Sequence, residues 1–237
     1  MDNSQGLLVV TGGTKGIGKA IVRRFAEEGF AIATCSRSES DLDALKNEIV
    51  DDFGVNIHTI KADLSRKDNC VDFVEFIRLI GKPIEVLVNN SGRFIPGLVH
   101  EEQEGNLEEM INTNLYSAYH VSRGLIPLMK SEKKGTIMNI CSVASLQAYP
   151  NGGSYSISKF AMLGFSKALR EELKEFGIRV TSIMPGAVLT SSWEGVDLPE
   201  DRFIKDIDLA ETIYTTHKLS ERTVIEDIVI RPQLGDI

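Results

Sequence analysis

The chain has 237 residues, 42% apolar and 25% charged, with a formal net charge of −8 at pH 7. A chain of this length buries roughly 70–75% of its unfolded surface, and this composition excludes a disordered or collagen-like protein. The acidic balance argues against nucleic-acid binding, which needs clustered cations, and no apolar run approaches the ~20 residues of a membrane span.

Taken in order, Met1–Ser4 carries no Lys or Arg ahead of the first apolar stretch, which argues against a secretory leader. Gly6–Thr11 reads as a buried strand and Gly16–Glu28 as a helix. Phe30–Ser36, Val55–Ala62, Ile84–Asn89, Gly135–Ile140, Ile178–Met184 and Thr223–Arg231 read as further strands. Helical patterns fill about Asp41–Phe53, Asn69–Ile80, Leu107–Lys130, Tyr155–Phe176 and Leu209–Leu219. The strands are continuously apolar, as expected where helices cover both faces of a sheet. Repeated strand–helix units imply parallel strands joined by right-handed crossovers. The predicted fold is therefore α/β: a single doubly wound Rossmann-type domain over 1–237 with a mostly parallel, seven-stranded sheet. Cys35, Cys70 and Cys141 are odd in number and widely spaced, which suggests reduced, buried thiols in a cytoplasmic protein. His58, His100, His120 and His217 show no metal-ligand spacing, and no metal is implied. The acidic run from Glu101 to Glu109 reads as a solvated loop and helix start.

The first strand runs into Thr11-Gly12-Gly13-Thr14-Lys15-Gly16-Ile17-Gly18. Glycines at 12, 16 and 18 let a diphosphate approach the backbone where a helix begins, and the helix N-terminus favours an anion. A glycine-rich turn without a ligand is the alternative, and placement in a βαβ unit weighs against it. The second strand ends Thr34-Cys35-Ser36-Arg37, with Ser36 where an NAD site usually carries an acid. Arg37 and Lys15 then suit a 2′-phosphate, so the predicted cofactor is NADP(H), the alternative being that both cations are merely solvated.

Tyr155 and Lys159 are four residues apart, which places them on one face of a helix. A nearby ammonium lowers a phenol pKa towards neutrality, as proton transfer to a carbonyl oxygen requires. Ser142 follows the fifth strand, where such folds bind ligands, and its hydroxyl can hold a substrate oxygen. Ser145 is the competing hydroxyl.

Together these motifs resemble those of the short-chain dehydrogenase/reductase family, in its compact form, over essentially the whole chain. Thr11–Gly18 resembles TGxxxGxG. Asp63, followed by Leu64, resembles the acid that bonds the adenine ring. Asn89-Asn90-Ser91-Gly92 resembles NNAG, with Ser91 in place of alanine. Asn114 matches the helix asparagine that holds a water on the lysine. Pro185-Gly186-Ala187-Val188-Leu189-Thr190 resembles PGxVxT. The resemblance implies Asn114, Ser142, Tyr155 and Lys159 as the catalytic set. It implies a cofactor held by Gly12, Thr14, Lys15, Gly16, Ile17 and Gly18, by Ser36 and Arg37, and by Asp63 and Leu64. Asn90, Ser91 and Gly92, then Tyr155 and Lys159, and Pro185, Gly186, Val188 and Thr190 complete that set. Hydride would pass between nicotinamide and a carbonyl carbon while Tyr155 gives the proton.

The family also places a substrate lid after Pro185-Gly186, here about 189–207, holding Trp193, the only tryptophan. Phe94, Leu146 and Tyr149 are further pocket-wall residues. The chain lacks the Asp-Gly-Gly ending of many 3-oxoacyl carrier-protein reductases and looks more like the sepiapterin-reductase-like and carbonyl-reductase branches. A homodimer or homotetramer is expected from the family alone. An NAD-dependent alcohol dehydrogenase and a nucleotide-sensing protein without chemistry are the rival readings. Ser36–Arg37 speaks against the first and the intact four-residue set against the second.

Overall fold

A computed structural model describes residues 6–190, 193, 195 and 197–237. Met1–Ser4, read above for a leader, lie outside the described residues, as do Ser191, Ser192, Glu194 and Val196 of the expected lid.

Seven strands form one sheet: β1 (Leu7–Thr11), β2 (Ala31–Ser36), β3 (Ile57–Lys61), β4 (Ile84–Asn89), β5 (Gly135–Ile140), β6 (Ile178–Pro185) and β7 (Asp227–Ile230). Their order is β3-β2-β1-β4-β5-β6-β7, and every pairing is parallel. Side-chain alternation divides the core in two. Leu8, Val10, Ile32, Val86 and Val88 face a layer built by α1 (Gly16–Glu27), α2 (Glu39–Phe53) and α7 (Asp206–Lys218). Leu7, Val9, Ala33 and Leu87 face α3 (Lys67–Ile80), α5 (Ser117–Glu132) and α6 (Gly153–Leu173). Both faces of the strands are covered, which is why they read as unbroken apolar runs. This is the doubly wound α/β architecture expected from the sequence.

The order reverses between β1 and β4, and the crevice at such a reversal, outside the carboxyl ends of the strands, is where these sheets take ligands. Most element ends differ from the sequence reading by one to four residues. Helix α2 starts at Glu39 because the Ser38 hydroxyl accepts from Asp41 N at 3.2 Å and caps it. The predicted last strand contracts to the four residues of β7.

One expected element is wrong in kind. The single helix predicted over Leu107–Lys130 is α4 (Asn106–Ile111), a π-helical turn over Asn112–Tyr116, and then α5. A π turn inserts one residue without breaking the helix, so apolar periodicity does not report it, and such turns gather at functional sites. Asn114 sits inside it.

Candidate active site

The glycine turn after β1 is held by β4's end. Asn90 donates from Nδ2 to the carbonyls of Thr11 (3.0 Å) and Gly12 (3.1 Å), while Thr11 Oγ1 accepts from the backbone N–H groups of Asn90 (2.9 Å) and Ser91 (3.0 Å). Gly12 and Gly16 adopt φ of +69° and +48°, the left-handed region. A Cβ at Gly18 would lie 2.2 Å from Gly12 O, and one at Gly16 would lie 2.9 Å from Thr190 Cγ2. No side chain caps α1, whose first turn holds no acid. A bare backbone that side chains would fill, leading into an uncapped helix N-terminus, fits a diphosphate. Ile17 packs partly into the core below.

At the far end of the crevice, the structure gives three of the expected cofactor residues definite surroundings. Lys15 is ion-paired to Asp41 at 2.8 Å and does not stand as a free cation. Ser36 Oγ accepts from Thr14 Oγ1 at 3.2 Å and from Ser38 N at 3.3 Å, which leaves its O–H free to donate. The Leu64 side chain is buried in the core, leaving only its backbone for a ligand. Arg37 is exposed and has no ion-pair partner among the described residues. Asp63 Oδ1 accepts from Ser65 N (3.1 Å) and Ser65 Oγ (2.8 Å), a local turn that orients the carboxylate.

The four residues expected to do chemistry meet near the carboxyl ends of β4 and β5. Ser142 follows β5 and opens a 3-10 turn over Val143–Ser145, its hydroxyl accepting from Ala144 N at 3.1 Å. Ser145 Oγ accepts from Ser142 N at 3.3 Å, so the competing hydroxyl serves as the reciprocal half of that cap. Tyr155 and Lys159 lie one turn apart on α6, with Lys159 Nζ 5.7 Å from the Tyr155 ring centroid. Asn114 is almost wholly buried. It accepts from Arg93 N (2.6 Å) and donates to Arg93 O (2.9 Å) and to Ser158 Oγ (2.8 Å). A Cβ at Gly92 would lie 3.5 Å from Asn114 Oδ1 and 3.7 Å from Lys159 Nζ, ordinary contact distances that place Gly92 beside both.

The electrostatics depart from the simple expectation. Burial pushes the Tyr155 phenol above its ordinary value, and a hydrogen bond with Ser142 pulls it back down. Burial also pushes the Lys159 ammonium down to about 8. Lys159 donates to Ile140 O at 2.8 Å. In this geometry the phenol is held up by desolvation, and the Ser142 hydrogen bond favours its ionised form.

Phe94 stands edge-on to Tyr155 with centroids 5.0 Å apart, and Tyr149 and Leu146 are partly exposed on the loop after Ser142. Burial raises Tyr149 to about 12. The strap after β6 is closed at its base: Leu189 N donates to Ile204 O and Ile204 N to Ala187 O, both at 2.9 Å. Val188 is buried in the core, so only its backbone faces the crevice. Gly186 N donates to Ile230 O at 2.8 Å, tying the turn after Pro185 to β7. Trp193 rests edge-on against Phe203 at 5.2 Å. A cavity of about 480 Å³ lies between the glycine turn, α2 and the strap, lined by Lys15, Lys19, Asp41, Leu189, Thr190 and Asp206 among others.

Sequence reasoning missed three participants. In the sequence Asp41 reads as part of a helix start, Ser158 draws no notice between Tyr155 and Lys159, and Glu102 reads as part of a solvated acidic run. Glu102 instead accepts from Ser154 N (3.0 Å) and Ser154 Oγ (2.6 Å). Only Ser158 carried a signal: three residues after Tyr155, it lies on the helix face that Tyr155 and Lys159 share.

Residues 7–200 match the family model described as short chain dehydrogenase. The chain is 30% identical to a sepiapterin reductase of Chlorobaculum tepidum, covering 98% of each, and 27% identical to an uncharacterized oxidoreductase of Staphylococcus epidermidis, covering 94% of this chain and 96% of that one. L-sorbose reductase from Gluconobacter frateurii, solved with NADPH and L-sorbose, superposes with a TM-score of 0.90 at 26% identity, covering 98% of each chain.

Proposed function

Because this chain belongs to the short-chain dehydrogenase family, we propose that it reduces a ketone or aldehyde to an alcohol with NADPH. The observation that carries the proposal is the junction of Tyr155 and Ser142: a phenol at the sheet's carboxyl edge, hydrogen-bonded to a buried serine, one helical turn from a buried lysine. The nucleotide, when bound, supplies the hydride. Tyr155 gives its proton to the carbonyl oxygen, and Ser142 holds that oxygen and stabilises the charge that develops there. Lys159 bonds the ribose. Asn114, fixed by Arg93 and Ser158, holds water beside the lysine and connects the proton path to solvent.

The glycine turn and Asn90 hold the diphosphate, with Thr14, Ile17 and Ser91 beside it. Asp63 and the Leu64 backbone meet the adenine. Gly92, Pro185, Gly186, Val188 and Thr190 border the nicotinamide. Preference for the 2′-phosphate rests on Arg37, since Asp41 already neutralises Lys15. The NADPH carried by L-sorbose reductase supports the same choice. Phe94, Leu146, Tyr149 and Trp193 wall a mainly apolar substrate space. Pterin side-chain ketones, dicarbonyls and 3-oxoacyl thioesters are the substrate classes to try, the first favoured by likeness to the sepiapterin reductase. Exposed Tyr116 and Tyr119 on the helix after β4 and Ile157 and Phe160 on α6 support a homodimer or homotetramer formed through those helices. The three free, buried thiols support a cytoplasmic location. Among the described residues, no helix is long and apolar enough to cross a membrane, and no cluster of His, Cys, Asp or Glu could hold a metal ion.

The test is NADPH consumption over a panel of these carbonyls. Turnover by the wild-type protein is expected, and Tyr155→Phe should abolish it while NADPH still binds. A protein that bound NADPH yet consumed it with no carbonyl present, or one whose Tyr155→Phe variant worked as well as the wild type, would overturn the reading.

A further inference from the structure

Helix α6, which carries Tyr155 and Lys159, begins without a cap of its own. Its N-cap is Gly152, which has no side chain to accept from the first free N–H groups. The acceptor comes from elsewhere. Glu102, 52 residues earlier, places Oε1 on Ser154 N and Ser154 Oγ, one residue before Tyr155. The neighbouring backbone is joined as well. Gly97 N donates to Asn151 O at 3.0 Å and Gly153 N to Gly97 O at 3.1 Å, while Glu102 N donates to Leu98 O at 2.8 Å. The glycines allow the approach: a Cβ at Gly153 would lie 2.7 Å from both Glu102 Oε1 and Gly97 O.

A merely solvated loop carboxylate would keep both oxygens in water. Here Oε1 is bound to the helix, and Oε2 is buried with no hydrogen-bond partner among the described residues. The neighbouring Glu101 has a side chain 67% exposed and pairs with His100. The same loop carries Phe94 near its start, and the Phe94 ring packs on Tyr155. The loop therefore touches the tyrosine through Phe94 and its helix through Glu102.

We infer that Glu102 is a positioning residue, which sets the first turn of α6 and with it the reach of the Tyr155 hydroxyl, and couples that turn to the Phe94 loop. The inference rests on Tyr155 being the proton donor, as proposed above. Its chemistry is geometric: a carboxylate at a helix N-terminus satisfies free N–H groups and the positive end of the dipole. Displacing a reacting group by about 1 Å can lower a rate on the order of a hundredfold.

The test compares Glu102→Ala, Glu102→Gln, Ser154→Ala and Glu101→Ala in the full chain. Kinetics with NADPH and the best carbonyl are read beside backbone hydrogen exchange over residues 153–158. Glu102→Ala should lower kcat by about ten- to a hundredfold with the NADPH dissociation constant unchanged, and should speed exchange in the first turn of α6 only. Glu102→Gln keeps the accepting oxygen and should restore both readouts to near wild type. Ser154→Ala, which keeps the backbone bond, should fall between. Glu101→Ala should behave as wild type. Unchanged kcat in Glu102→Ala, exchange that rises evenly across the molecule, or failure of glutamine to rescue would each overturn the inference. If wild-type protein reduced no carbonyl, the proposed function would fall by itself. Exchange in the first turn of α6, unchanged by Glu102→Ala, would then sink the inference too, and selective acceleration rescued by glutamine would uphold the cap.

Discussion

Asn114 donates from Nδ2 to the Ser158 hydroxyl across 2.8 Å, and Ser158 Oγ in turn donates to the Tyr155 carbonyl oxygen at 2.7 Å. The π turn that interrupts the helix between β4 and β5 is thereby fastened to the helix bearing Tyr155 and Lys159. Removing Asn114 as alanine leaves Arg93 N and Ser158 Oγ without their partner in a buried site. We expect a loss of about 1–3 kcal/mol in urea unfolding, together with a lower kcat. Ser158→Ala should lose less stability, because only its hydroxyl leaves. Unchanged unfolding in Asn114→Ala would show that the link carries no weight.

Glycine 18 is expected to be intolerant of even one carbon. A Cβ there meets Gly12 O at 2.2 Å and Asn90 Nδ2 at 2.6 Å, so backbone and clamp must both move. Gly18→Ala should weaken NADPH binding by well over about tenfold in a fluorescence titration, the equivalent of losing about 1.4 kcal/mol. Gly164 is the contrast. It is exposed in the interior of α6 with nothing within 4 Å of its Cβ position. Gly164→Ala should stabilise the fold by about 0.5–1 kcal/mol and leave binding alone.

The ion pair between Lys15 and Asp41 predicts unequal roles for the two cations. Arg37→Ala should raise the KM for NADPH by about tenfold or more, the worth of a charge-assisted hydrogen bond, with little change for NADH. Lys15→Ala should do less. Asp41→Asn releases Lys15 and should lower the KM for NADPH. Steady-state kinetics with both nucleotides decide the matter: equal effects of Arg37→Ala on the two would contradict the assignment.

The buried Lys159 predicts a pH signature in stability. Its folded value of about 8 lies below the ordinary 10.5. Between the two, the unfolded chain holds one proton more than the folded one, so wild-type stability rises with pH across that window. Below pH 8 the charged group is a liability of about 3 kcal/mol, at about 1.4 kcal/mol per pH unit. Lys159→Met should therefore be inactive yet more stable than wild type at pH 7, less the lost bond to Ile140 O. The advantage should vanish near pH 10.5. Urea unfolding at the two pH values checks it, and a methionine variant less stable at pH 7 would contradict the sign.

Much was legible before any coordinate. The alternation of strand and helix, and the placement of Gly12, Gly16 and Gly18 after β1, follow from local regularities. Continuous apolar runs mean burial on both faces, and glycines mark where backbone must lie bare. The Tyr155–Lys159 pairing needs only the helical repeat. Tertiary structure alone decided what those groups meet. Asp41 answers Lys15, Ile140 O takes the Lys159 ammonium, Ser142 and burial compete over the Tyr155 phenol, and Glu102 caps a helix 52 residues away. Periodicity records which face a side chain occupies. Desolvation, ion pairing and capping by a distant residue depend on distances through space, which only the packed chain determines.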